Sequence, residues 1–166
     1  MRKINSKVLG EVHAKYQVKF PNLAKSDNLL AKIYDQFKTR KKPKYIVNQK
    51  RLSDHKDYEC KSIQKAFKLK TVKNLTPYDC WTMLVDGYLI CDDAYLHFLP
   101  RLFEHVLEDP INEDLLSSRL KGLDKRNLSS DETAIIEKNK IVAAEIGEYW
   151  DMLGEKNYEL FYTLSL

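Results

Sequence analysis

The chain has 166 residues with 43% hydrophobic and 31% charged content, the size and balance of about one ordinary globular domain that needs no metal or disulfide staple. Five Gly, five Pro, ten Tyr, six Phe and two Trp exclude wholesale disorder. The net charge of +4 hides a split: residues 1–74 hold 20 Lys/Arg against 6 Asp/Glu, and residues 75–166 hold 8 against 18.

The first helix is expected over Lys7–Lys19, stopping at Pro21. A second follows, capped by Ser26 or Asp27, with Leu29, Leu30, Ile33, Tyr34 and Phe37 at helical spacing. It ends in the basic run Arg40-Lys41-Lys42-Pro43-Lys44, where proline forces a break. Tyr45-Ile46-Val47 reads equally as a short strand or an extended link. A third helix is expected from Ser53 to Lys70, with Tyr58, Ile63, Ala66 and Phe67 turned inward and Cys60 as a further candidate.

Thr76-Pro77-Tyr78-Asp79 opens a fourth helix: threonine caps, proline fits the first turn, and an early aspartate suits the positive end of the dipole. Tyr78, Trp81, Leu84, Val85, Tyr88 and Leu89 are its expected inner face. Residues 92–109 are strongly amphipathic. Tyr95, Leu96, Phe98, Leu99, Leu102, Phe103, Val106 and Leu107 fall on one arc, and His97, Arg101, Glu104, His105 and Glu108 fall opposite. Pro100 interrupts this segment at a cost of about 3 kcal/mol in a regular helix, so a kink or a meeting of two helices is expected, offset by packing of the flanking aromatics. A short helix over Asn112–Lys121 should end at Gly122. Ser129 and Glu132 form a capping box before a helix with Ile135, Val142, Ala143, Ile146, Tyr149, Trp150 and Leu153 on one stripe, ended by Gly154. The tail Tyr158–Leu166 is apolar enough to pack back. The expected fold is all-α: a single domain of six or seven helices over 1–166, with a basic portion 1–62 and an acidic portion 63–166, and little or no β structure.

No catalytic or cofactor pattern stands out. Cys60, Cys80 and Cys91 are an odd count with no CxxC, which argues against a disulfide framework or a cysteine zinc site and for reduced, mostly buried thiols. His97 and His105 lie two helical turns apart, about 12 Å, too far to ligate one ion. The glycines are isolated, so neither a P-loop nor a dinucleotide fingerprint is formed. No metal or cofactor is expected. No apolar run approaches the roughly 20 residues of a membrane span, and no signal core or lipidation signal is present; a soluble, cytoplasmic protein is expected.

Two charged stretches remain. The acidic residues Asp92, Asp93, Glu104, Glu108, Asp109, Glu113 and Asp114 could line one edge and steer a cationic partner. The basic residues Arg40, Lys41, Lys42, Lys44, Lys50 and Arg51, with Tyr45 among them, could hold phosphates and stack a base.

The segment Asp92-Asp93-Ala94-Tyr95-Leu96-His97-Phe98-Leu99-Pro100-Arg101-Leu102-Phe103, with Trp81-Thr82-Met83-Leu84 upstream and Leu128-Ser129-Ser130-Asp131-Glu132 downstream, resembles the central motif of a family of small, uncharacterised bacterial proteins. The resemblance covers residues 63–150 and implies an all-helical fold, with Tyr95, Leu99, Pro100 and Trp81 as packing residues. Proteins of this type resemble immunity proteins encoded beside secreted toxins. The expectation drawn from it is a binding protein that neutralises a cognate toxin, for instance a nuclease, by covering its active site with the acidic surface. The alternative is a nucleic-acid-associated accessory protein using the basic segment 38–51.

Overall fold

The computed structural model describes residues 25–53, 57–108 and 113–156, with the side chains of Asn127 and of 149–156 excepted. The helix expected over Lys7–Lys19, the tail Tyr158–Leu166, Asp109, and the side chains of Tyr149, Trp150 and Leu153 lie outside the described residues. The fold is all-α. Seven α-helices are present among the described residues: α1 (Ser26–Phe37), α2 (Gln49–Leu52), α3 (Tyr58–Phe67), α4 (Pro77–Val85), α5 (Asp92–Glu108), α6 (Glu113–Lys121) and α7 (Ser130–Lys156).

The amphipathic helix α5 is the axis. It packs against α1, α4, α6 and α7 and against a single turn of 3-10 helix at Val72–Asn74. Tyr95, Leu96, Phe98, Leu99, Leu102, Phe103, Val106 and Leu107 are all buried, as their spacing requires. Because helices cover α5 from several sides, part of its polar face is covered too. His105, expected in solvent, is buried, while His97, Arg101, Glu104 and Glu108 are half-buried. Pro100 is buried within one unbroken helix, so two helices do not meet there.

The caps expected at Thr76 and Ser129 form, each as a capping box. The Thr76 hydroxyl accepts from the Asp79 amide at 3.1 Å and the Asp79 carboxylate accepts from the Thr76 amide at 2.8 Å. Ser129 and Glu132 do the same at 3.1 and 3.0 Å. At α1 neither Ser26 nor Asp27 caps: Lys25 is the N-cap, without a side-chain bond, and Ser26 is buried as the first helical residue. The third expected helix is shorter, with Asp57 capping α3 by accepting from the Cys60 amide at 3.0 Å. Gly154 does not end α7, which runs on to Lys156.

The segment after Pro43 is extended and makes a single antiparallel bridge, Val47 with Ile90. The Cys91 amide donates to the Ile46 carbonyl at 2.9 Å. Gln64 of α3 grips the same segment: its Oε1 accepts from the Ile46 amide at 2.7 Å and its Nε2 donates to the Lys44 carbonyl at 3.1 Å. Ile46 and Val47 are buried. Residues 44–47 are thereby fixed between α3 and the start of α5.

Two helix faces differ from expectation. In α3, Cys60, Ile63 and Phe67 are buried, whereas Tyr58 is 76% exposed and Ala66 is exposed. In α4, Cys80, Met83 and Leu84 are buried, and Tyr78, Trp81, Val85 and the following Tyr88 are exposed. The inner face of α4 is turned by roughly 130° from the aromatic one, at 100° per residue. Close approach explains the choice. A Cβ at Gly87 would lie 3.3 Å from Tyr95 Cε2 and 3.7 Å from Arg119 Cγ, so only a small residue fits where this part of the chain meets α5 and α6. Trp81 therefore does not have the packing role implied by the family resemblance.

Candidate functional site

The acidic residues expected to form one edge are dispersed and largely paired within the chain. Asp92 accepts from Arg119 Nη2 at 2.6 Å and from the Asp124 amide at 2.9 Å. Arg119 also donates to the carbonyls of Gly87 and Ile90, at 2.9 and 2.8 Å, and lies over the Tyr95 ring at 5.1 Å. Asp93 pairs with Arg40 at 3.2 Å, and Arg40 reaches Glu132 at 3.1 Å as well. Glu104 accepts from the Tyr34 hydroxyl at 2.8 Å and lies 3.6 Å from Arg101, which is 3.8 Å from Glu108. Burial and the neighbouring Glu104 push the Tyr34 phenol well above its ordinary pKa. Glu113 is half-buried beside Gly147, and Asp114 is exposed. Asp92 and Glu104 stand 12 residues apart on α5, about 18 Å along the axis. Of these acids, Asp93 and Asp114 have exposed side chains. Among the described residues these acids form no continuous anionic edge.

The basic residues behave differently. Arg40 and Lys42 serve the fold. The Arg40 carbonyl accepts from His97 Nδ1 at 2.7 Å. Lys42 Nζ donates to the carbonyl of Lys68, the C-cap of α3, and to that of Lys70 beyond it, both at 2.6 Å. It lies 5.9 Å from the Phe98 ring centre, and burial pulls its ammonium below its ordinary pKa. These bonds, with the grip of Gln64, lay the segment of residues 41–46 along α3. The result is a ridge in which Lys41 and Lys44 join Lys65, Lys68 and Lys73, all exposed, with Lys50 and Arg51 exposed beyond Val47. Lys41, Lys44, Lys50, Lys65, Lys68 and Lys73 form no ion pair among the described residues. Residues 41–73 hold 11 Lys/Arg against 3 Asp/Glu. Lys44 Nζ sits 5.4 Å from the ring centre of Tyr45, which is half-buried.

Lys65 and Lys68 of the ridge did not stand out from the basic run alone. Their spacing of three residues on α3 was the available signal. What no local pattern gives is the packing of 41–46 against them.

The remaining chemistry is quiet. Burial pushes the Cys80 thiol up to about 11 and raises Cys60 and Cys91 as well. The Cys91 thiol donates to the Tyr45 carbonyl at 3.2 Å. An open groove lined by Asn48, Tyr88, Leu89, Ile90, Cys91, Asp92 and Arg119 holds titratable groups, but Asp92 and Arg119 bond each other and the backbone. No group of three or more His, Cys, Asp or Glu able to hold a metal occurs among the described residues. No described helix is long and apolar enough to cross a membrane.

Comparison with protein-family models, with curated proteins and with solved structures finds no match to the chain.

Proposed function

We propose that this protein is a nucleic-acid-binding accessory protein that holds phosphates along the lysine ridge of residues 41–46 and α3. One observation carries the reading. The acids of α5 are paired inside the chain, while Lys41, Lys44, Lys65, Lys68 and Lys73 are exposed and form no ion pair among the described residues. Phosphates are the anions that a row of unpaired lysines attracts, with release of condensed counterions as the gain. An immunity-type protein that covers a cationic toxin is the weaker reading, because Asp92, Asp93, Glu104 and Glu108 already bind groups of this same chain.

The test is a mobility-shift titration of a labelled oligonucleotide at about 50 mM salt, where phosphate contacts are strongest. Replacing Lys65, Lys68 and Lys73 with Gln together should weaken binding at least tenfold. Replacing Asp93 and Asp114 with Asn should leave it unchanged or tighten it. Equal affinity of the wild type and the lysine variant would remove the ridge as the site.

A further inference from the structure

Four aromatic side chains stand exposed on the chain segment that carries and follows the ridge: Tyr58 at 76%, Tyr78 at 72%, Tyr88 at 67% and Trp81 at 45%. By contrast Phe37, Phe67, Tyr95, Phe98 and Phe103 are fully buried. Exposed aromatic faces of this number need a physical account, since burying each ring would gain apolar area.

Their placement supplies one. Tyr58 opens α3, the helix that bears Lys65, and Lys61 Nζ lies 5.8 Å from its ring centre. At the other end, Lys70 pairs with Asp79 at 3.0 Å, which ties the first turn of α4 to the chain leaving α3. Tyr78 neighbours that pair in sequence, and its ring stacks on Trp81 with centres 5.8 Å apart and planes 27° from parallel. One aromatic platform therefore lies at each end of α3, with the lysines between. Tyr88 follows α4 and lies outside the stretch from Tyr58 to Trp81; the carboxylate of Glu59, then burial and Asp86, hold its phenol above the ordinary value.

We infer that the ridge takes a single strand, with unpaired bases stacking on Tyr58 and on the Tyr78–Trp81 pair while the lysines between them hold the phosphates. The inference rests on the ridge being the nucleic-acid site. A duplex keeps its base faces stacked inside the helix, so it offers these rings nothing and meets only the lysines. A single strand exposes the π-face of every base, and stacking on aromatic side chains is tolerant of sequence. Exposed lysines and exposed rings lie on α3 and on the helix start that the Lys70–Asp79 pair ties to its end, and an unpaired polyanion with planar groups uses both.

The experiment is fluorescence anisotropy with a labelled oligothymidylate of about 12 nucleotides, within the usual range of single-strand site sizes. The comparison probes are a duplex of the same length and vesicles containing anionic phosphatidylserine. The single strand should bind at least tenfold more tightly than the duplex. Tyr58→Leu combined with Tyr78→Leu should weaken single-strand binding at least fivefold and leave duplex binding unchanged, with a thermal melt confirming that the variant is folded. Tyr88→Leu should change neither. Equal affinity for strand and duplex, with the aromatic variant silent, overturns the inference while the lysine variant still reports on the ridge. Binding to vesicles but to neither oligonucleotide overturns both, and so does binding to none of the three probes.

Discussion

Helix α5 and helix α3 treat their charges in opposite ways. On α5 the carboxylates face other elements. Asp92 meets Arg119 of α6, Asp93 meets Arg40 beyond the end of α1, and Glu104 meets Tyr34 of α1. On α3, Lys65 and Lys68 are exposed and form no ion pair among the described residues, while Gln64 and the carbonyls of Lys68 and Lys70 bond the neighbouring segment 42–46. The difference follows from position. A helix at the centre of a bundle has neighbours on several sides, so its polar residues acquire partners or become buried. A helix at the edge has one covered face, and its long basic side chains keep their heads in water. Charge counted along the sequence is nearly balanced between a basic and an acidic half. Charge presented to solvent around these two helices is not.

Four perturbations break or sharpen that contrast. The largest effect should come from Phe98, at the junction of the two regions, where it meets Phe67 of α3 with ring centres 6.5 Å apart, His97 at 4.8 Å and the Lys42 ammonium. Phe98→Ala should destabilise by about 3–5 kcal/mol, read by urea unfolding, and should disorder the seat of Lys42 as well. Arg119→Met comes next. It removes the bonds to Gly87, Ile90 and Asp92 together, with an expected loss of about 2 kcal/mol after allowance for partial exposure. A loss below a few tenths would mean that α5's acids are not paired in the way described.

Asp79 gives a smaller, pH-dependent effect. Burial opposes its charge, but the Thr76 amide and hydroxyl and the Lys70 ammonium outweigh burial, and its pKa lies below the ordinary carboxylate value. The stabilisation from a folded-state pKa depressed in this way is fully present above the unfolded-state pKa of about 4 and is lost as pH falls below that value through the folded-state pKa. Asp79→Asn should therefore lower the melting temperature at neutral pH and converge with wild type as the pH falls below about 4; a gap that is constant with pH would assign the loss to shape rather than charge. The smallest effect on stability belongs to the ridge. Replacing Lys65, Lys68 and Lys73 with Gln should change unfolding free energy by no more than about 0.5 kcal/mol, since none has an ion pair among the described residues. A large loss would show that these side chains hold structure.

Much of the fold is legible locally. The Thr76/Asp79 and Ser129/Glu132 boxes form because each needs only residues three apart, and the α5 stripe is buried because its spacing repeats over four turns. The face of α4 is not legible in that way. Its sequence offers an aromatic stripe and a stripe of Cys80, Met83, Leu84 and Gly87. Area favours the first, while the choice is made by the tight approach of Tyr95 and Arg119 at Gly87, which is tertiary. Tyr58, Tyr78 and Tyr88 carry polar hydroxyls that tolerate solvent, so helical spacing overstates their need for burial. Asn139, fully buried on α7, is missed for the converse reason: a polar side chain gives no hydrophobic signal. For the candidate site, the basic run is plain in the sequence, but its division is not. Arg40 and Lys42 turn inward and Lys41 and Lys44 turn outward because Glu132, Asp93 and the carbonyls ending α3 are brought to them by distant segments.

The role of the exposed ridge lysines in holding phosphates is tested most directly by the salt dependence of oligonucleotide binding. For a single strand, log K should fall linearly with log salt, by about 0.7 for each phosphate contacted. The account predicts a wild-type slope of about −3 to −4 and a slope shallower by about 2 in the Lys65/Lys68/Lys73→Gln variant. A slope that is flat in wild type, or one that the triple substitution leaves untouched, would contradict it.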